Sequence, residues 1–205
     1  SNFDYSAVTD PIAPGAQILV PSGGSWSAGG VAAVIILSGQ PHLLTCAHIF
    51  NGPADVYVRG ERAPIATMSR AYLDDPDPLD AAVCELTSAG IGLLERSTSA
   101  ETWFSSIHAP EPADNGAVAV FWPTSVGNEG PYETGIQSYW ALTSVLFAAG
   151  PQGGLIEIPR GVIGGDSGSL LSLNNEYYGL CSGNVEGRWS YFTPVAAAIE
   201  RLQYE

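Results

Sequence analysis

Gly164-Gly165-Asp166-Ser167-Gly168-Ser169-Leu170-Leu171 places one serine in a glycine-rich turn directly before an apolar strand. Glycine lets the backbone curl, so that the N–H groups of Gly165 and Ser167 can point inward at one place. Such paired donors suit an oxygen that develops negative charge. A serine hydroxyl is a weak nucleophile until an imidazole takes its proton, and a buried carboxylate must hold that imidazole in one tautomer. A turn serine between glycines also has a purely structural reading, so its partners elsewhere in the chain decide.

Two stretches supply them. Leu43-Leu44-Thr45-Cys46-Ala47-His48 ends an apolar strand on a histidine, and Asp80-Ala81-Ala82-Val83 opens one on an aspartate. His42 and His108 read as structural. Asp74, Asp75 and Asp77 sit in a turn-rich acidic stretch and read as solvated turn acids. Chain order then discriminates. An α/β-hydrolase runs Ser, acid, His, but no Asp or His follows Ser167. The local text also fails G-x-S-x-G, because position 169 is Ser. A subtilisin-like order would need Asp4 or Asp10, and no supporting motif surrounds either. The order His48, Asp80, Ser167 remains.

The rest of the chain reads as β almost throughout. Gln17–Val20, Val31–Leu37, His42–Cys46, Asp55–Arg59, Ala63–Arg70 and Ala81–Leu86 make about six strands, the second and third joined as a hairpin. Glu95 to Gly116 changes to Ser, Thr, Pro, Ala and acids and reads as a connection. About six more follow: Ala117–Trp122, Ser138–Phe147, Gly154–Ile158, Ser169–Leu173, Tyr177–Cys181 and Arg188–Phe192. Pro194 to Leu202 starts with proline at a first-turn position and carries an apolar stripe at Val195, Ile199 and Leu202, which predicts one terminal helix. The expected architecture is all-β: two small antiparallel barrels and a C-terminal helix. The division is residues 1–94 carrying the His and Asp, a linker at 95–116, a second barrel at 117–193 carrying the Ser, and a helix at 194–205.

Composition narrows the function. The 205 residues are 45% hydrophobic and carry 24 Gly and 15 Pro, which fits a packed core cut by many turns. Seven basic against 21 acidic residues give a net charge of −14, which repels phosphate backbones and anionic headgroups, so neither nucleic acid nor membrane is an expected partner. Every basic residue is Arg. Without Lys there is no Schiff base, no Ser–Lys dyad and no Walker-type phosphate loop. Cys46, Cys84 and Cys181 are too scattered for a disulfide framework or a structural zinc site and read as buried thiols, with a Cys46–Cys84 bridge left open. Their low number leans toward a reducing compartment. We expect neither a signal peptide nor a membrane span in these 205 residues, the longest apolar run being Val31 to Leu37.

T-C-A-H, D-A-A-V, G-D-S-G and the terminal Phe192-Thr193-Pro194-Val195 leading into a helix, in this order, resemble the trypsin/chymotrypsin-like serine proteases. The resemblance runs from about Gly29 to Leu202. It implies two perpendicular six-stranded barrels with a cleft between them, His48 as general base, Asp80 as the orienting acid, Ser167 as nucleophile, and the Gly165 and Ser167 N–H groups as oxyanion hole. Neither metal nor cofactor is implied.

The sequence departs from the mammalian members: Ile49 follows His48, and the His48–Asp80 interval is short, as in bacterial or viral members. No zymogen-type N-terminus is present to pair with Asp166, which must find backbone N–H groups or an Arg instead. By the same resemblance Gly161, six residues before the nucleophile, sets the base of the primary pocket. Ser182, Gly183 and Asn184 form a wall that pairs with extended substrate, and Ser190 faces the interior. A base without an acid does not favour Arg or Lys, and Arg160 and Arg188 read as rim residues. The expected function is a serine endopeptidase with a non-basic primary preference, its partner a polypeptide substrate. The rivals are a silent protease-fold binding module and a protease dedicated to itself or to one partner protein.

Overall fold

The structure is a computed structural model and describes residues 12–95, 103–124, 131–136, 138–141, 145–147, 150–152, 154–159, 161–162, 164–185 and 187–204. Asp4, Asp10 and Arg160 lie outside them.

The first half holds seven strands. β1 (Gln17–Ser22) and β2 (Ser25–Gly30) pair as a hairpin. β3 (Ala33–Leu37), β4 (Gln40–Thr45), β5 (Asp55–Val56), β6 (Ala66–Ala71) and β7 (Ala82–Leu86) make an antiparallel sheet in the order β3-β4-β7-β6-β5. Leu19 bridges Tyr57 beside β5, so the hairpin continues the sheet around a common core. Ser38 and Gly39 turn β3 into β4 with φ of 51° and 77°, a two-residue turn whose twist matches the strands it joins. Ile18 and Val20 of β1 and Leu43 and Leu44 of β4 are fully buried, and Val83 packs in the same core.

Helix α1 (Ser88–Glu95) follows β7. The sequence reading has a single helix, at the C-terminus. Two glycines in eight residues make Ser88–Glu95 a poor helix by intrinsic preference, and tertiary packing overrides that. Thr87 accepts from the Gly90 N–H at 3.3 Å and donates to the Pro64 carbonyl at 2.6 Å, capping the helix and anchoring its start. A side chain at Gly90 would collide with the Ile65 carbonyl, so the glycine is what lets the helix approach the sheet.

The second half is built on a seven-stranded antiparallel sheet. Its strands are β8 (Val118–Trp122), β9 (Tyr132–Gly135), β10 (Ser138–Ala141), β13 (Leu155–Ile158), β14 (Leu170–Leu173), β15 (Glu176–Val185) and β16 (Trp189–Pro194), in the order β10-β13-β16-β15-β14-β8-β9. Between β10 and β13, β11 (Val145–Phe147) and β12 (Gly150–Gln152) form a separate hairpin. The expected single strand Ser138–Phe147 is therefore two, with different partners. Phe121 and Phe192 meet edge to face at 5.4 Å in this second core, beside Ile156, Leu171 and Tyr178.

Helix α2 (Val195–Gln203) closes the chain. Its buried Val195 and Ala198, with Ile199 and Leu202, join a core that unites the first-half residues with Leu170, Tyr177 and Leu180 of the second sheet. Arg201 reinforces this docking, donating to Asp75 Oδ2 at 3.2 Å and to the Asp77 carbonyl at 2.9 Å. No helix among the described residues is long and apolar enough to cross a membrane.

Candidate active site

Antiparallel pairing brings the first two candidate side chains together. Thr45 at the end of β4 lies opposite Ala82 at the start of β7. The three residues after one and the two before the other therefore share an edge of the sheet, and that edge carries His48 and Asp80. Asp80 is fully buried. Its Oδ1 accepts from the Ala47 and His48 N–H groups at 2.8 and 2.9 Å, so the carboxylate is fixed by the backbone that carries its partner. Its Oδ2 lies 2.7 Å from His48 Nδ1.

The third comes from the other half. Ser167 sits in the turn before β14, and its Oγ is 2.8 Å from His48 Nε2. With the ring proton on Nδ1, His48 donates to Asp80 and accepts from the Ser167 hydroxyl. Three side chains 32 and 119 residues apart thus form one continuous chain of hydrogen bonds. The His48 side chain keeps 30% of its surface open, against 1% for Asp80, so the reactive edge meets solvent and the acid does not.

Burial disfavours the His48 imidazolium. Negative charge at Cys46 and the Asp80 carboxylate favour it and prevail, so the imidazole is raised above its ordinary value. The Cys46 contribution needs an ionised thiol, and burial pushes that thiol up. Near neutral pH the carboxylate is the group that acts.

The turn holding Ser167 is clamped from both halves. The Gly30 N–H donates to the Ser167 carbonyl at 2.8 Å, and the Gly168 N–H donates to the Cys181 carbonyl at 2.7 Å. A side chain at Gly168 (φ 85°) would strike Thr45 Oγ1. Thr45 Oγ1 in turn donates to the Gly30 carbonyl at 2.7 Å. Asp166 is buried, and its Oδ1 accepts from the Thr124 N–H at 3.1 Å, a backbone partner of the kind the sequence reading expects for it. Thr124 Oγ1 donates to the Gly165 carbonyl at 2.6 Å. Gly165 takes φ 95°, a left-handed conformation that glycine tolerates. Neither the Gly165 nor the Ser167 N–H bonds to a described residue. Thr45 belongs to the T-C-A-H stretch, whereas no local pattern in the sequence marks Thr124 or Gly30.

Of the pocket candidates, Ser182, Gly183 and Asn184 lie in β15 and Ser190 in β16, and Gly161 follows β13. Asn184 Nδ2 donates to the Val162 carbonyl at 3.1 Å, and its Oδ1 accepts from the Gly187 N–H at 3.2 Å. Gly161 lies so close to Gly187 that a side chain there would collide with the Gly187 carbonyl. Ser182 is buried and bonded through Oγ to Thr193 Oγ1 at 2.6 Å, so its side chain is occupied. Gly183 lies opposite Tyr191 at a bulge in β15, and Ser190 is fully buried opposite Asn184. Arg188 is exposed. All three cysteines are free and buried.

No protein-family model matches the sequence, and no curated protein matches it either. Solved structures do match, over nearly the whole chain. Thermobifida fusca Protease A superposes with a TM-score of 0.67 at 19% identity, covering 94% of this chain and 96% of its own. Nocardiopsis Protease gives 0.66 at 18% identity, with 94% and 96% covered. A glutamic-acid-specific serine protease, described as using a histidine triad in substrate binding, gives 0.66 at 15% identity, with 93% and 97% covered. The chain has the chymotrypsin-like fold. At these identities the likeness is one of fold.

Proposed function

We propose that this protease-fold chain is a serine endopeptidase that cleaves peptide bonds through an acyl-enzyme on Ser167. One observation carries the reading: Asp80 Oδ2, His48 Nδ1, His48 Nε2 and Ser167 Oγ lie in series at 2.7 and 2.8 Å, at an open edge. Ser167 Oγ attacks the substrate carbonyl and passes its proton to Nε2. The imidazolium is held by Asp80, which keeps its negative charge. The oxygen that gains charge is met by the N–H groups of Gly165 and Ser167. Nε2 then protonates the leaving amine, and water repeats the sequence to free the acid.

For specificity we propose a small or medium uncharged residue at the primary position, bounded by Gly161, Ser182, Gly183, Asn184 and Ser190. No acid stands at this base, which argues against Arg or Lys. The histidine device named for the glutamic-acid-specific neighbour has no counterpart to draw on here. Of three histidines, His48 serves Ser167, His42 bonds the Gln40 carbonyl at 2.8 Å, and His108 bonds Asp114 at 2.8 Å. The reading carries with it a division into residues 1–94, 95–116, 117–193 and 194–205.

A fluorophosphonate probe tests the chemistry without a known substrate. It should label the intact protein at Ser167 and leave Ser167→Ala unlabelled. An unlabelled intact protein would favour the silent scaffold. Labelling without cleavage of a peptide library would favour a dedicated substrate.

A further inference from the structure

Cys46 stands apart from the other two cysteines. Its Sγ, a ring nitrogen of His48 and a carboxylate oxygen of Asp80 all lie within 4.8 Å of one another. The peptidase mechanism uses His48 and Asp80 and has no task for the thiol between them. Cys46 and Asp80 are fully buried, while the His48 side chain is partly open to solvent.

We propose that Cys46, His48 and Asp80 form an inhibitory site for a thiophilic divalent cation of the zinc type. Sulfur, imidazole nitrogen and carboxylate oxygen are the donor set such ions select. One thiolate and one carboxylate neutralise a dication, and the imidazole completes the set without charge. Bond lengths of about 2.3 Å to sulfur and 2.0–2.1 Å to nitrogen or oxygen put tetrahedral donors about 3.5 Å apart. No pair therefore has to close by more than about 1.3 Å, while His48 Nδ1 and Asp80 Oδ2, hydrogen-bonded at 2.7 Å, have to part by roughly 0.7 Å to admit the ion. Asp80 is already held from behind by two backbone N–H groups, so Oδ2 can turn to the ion while Oδ1 stays in place. Water takes the fourth position, reaching it from the solvent-open side of His48.

The balance is simple. Cys46 forms a sulfur–metal bond and releases its proton to solvent. His48 Nδ1 gives its lone pair to the ion while its proton moves to Nε2, and the ring stays neutral. Nothing is oxidised or reduced. The consequence follows from the tautomer: a ring with its proton on Nε2 cannot accept the Ser167 proton. The inhibition rests on the peptidase reading, whereas metal binding does not.

The test has two arms that separate those claims. Purified protein free of metal is titrated with CdCl2, and the ultraviolet thiolate-to-cadmium charge-transfer band is followed. A single equivalent should saturate the band. Cys46→Ser and Cys46→Ala should lack it although Cys84 and Cys181 remain, and His48→Ala should weaken binding at least about tenfold. In the second arm, ZnCl2 should suppress fluorophosphonate labelling, and a chelator should restore it. In Cys46→Ser, labelling should be equal with and without zinc relative to that variant's own metal-free rate. No band in the unaltered protein, a band that survives in Cys46→Ser, or zinc suppression unchanged in Cys46→Ser would each overturn the site. If the unaltered protein is not labelled even without metal, the peptidase reading fails, and the cadmium titration still decides the site.

Discussion

At the scale of the residue, the chemistry turns on how Asp80 acts on His48. Burial opposes a charged ring, and the raised imidazole means that negative charge prevails. The base form is the neutral one, so activity is absent at low pH and appears as the proton leaves. The labelling rate should therefore climb with pH through a midpoint above the ordinary imidazole value of about 6.5. Asp80→Asn removes the charge that favours the imidazolium, and the His48 titration followed by NMR should then fall. An unmoved titration would mean that Asp80 is not the group that raises it. Thr124 offers a second residue-scale case. Its hydroxyl holds the Gly165 carbonyl and its N–H holds Asp166. Thr124→Val keeps the shape and the backbone bond and removes the hydroxyl, so the part-buried Gly165 carbonyl loses its partner at a cost of about 0.5–1.5 kcal/mol. The labelling rate should drop while the protein remains folded, since the carbonyl released is the one that sets the Gly165 turn.

At the scale of the element, what the sequence made legible is what its residue types constrain. A nucleophilic hydroxyl, an imidazole and a carboxylate are few, and their order along the chain is informative, so the convergence of Ser167, His48 and Asp80 could be read from text. Most strands were legible from apolar runs. β2 was not, because Ser25-Trp26-Ser27-Ala28-Gly29-Gly30 lacks the branched residues that mark a strand. Its smallness is tertiary in origin: side chains at Gly29 and Gly30 would strike the Ser167 carbonyl and Ser169 Oγ. Helix α1 was missed for the same kind of reason, its Gly90 serving a close approach to Ile65. Glycines that look like breakers locally are thus packing residues. Gly168→Ala tests this. It places a side chain at φ 85° against Thr45 Oγ1 and the Gly30 carbonyl. The backbone term alone costs about 1–3 kcal/mol. We expect a lower urea midpoint together with lost labelling, because Gly168 follows Ser167 and ties its turn to Cys181.

At the scale of the whole molecule, a site assembled from two halves works only while they keep their placement; Trp103 Nε1 in the connection donates to the Ile12 carbonyl of the first half at 3.0 Å, and the described residues after it are fastened to the second sheet. Ile107 bridges Tyr177 in β15, and Phe104 packs edge-on against both Tyr177 and Trp122. His108 Nε2 lies 2.8 Å from Asp114 Oδ1, and Nδ1 lies 3.4 Å from Glu176 Oε1. Asp114 Oδ2 also accepts from Tyr178 at 3.0 Å and from the Glu111 N–H at 2.9 Å. Burial disfavours a charged His108, but Asp114 and then Glu176 outweigh it, so this imidazole too is raised. A raised folded-state value means that the folded protein holds the proton more tightly than the unfolded chain. The stabilisation is fully present below about pH 6.5, the unfolded value, and is lost as pH climbs through the folded one. His108→Ala should therefore cost more stability at pH 6 than at pH 9, measured as the difference in urea unfolding free energy from the unaltered protein at each pH. An equal cost at both would show that His108 holds the connection by packing against Tyr178, 5.4 Å from its ring, and not by its charge.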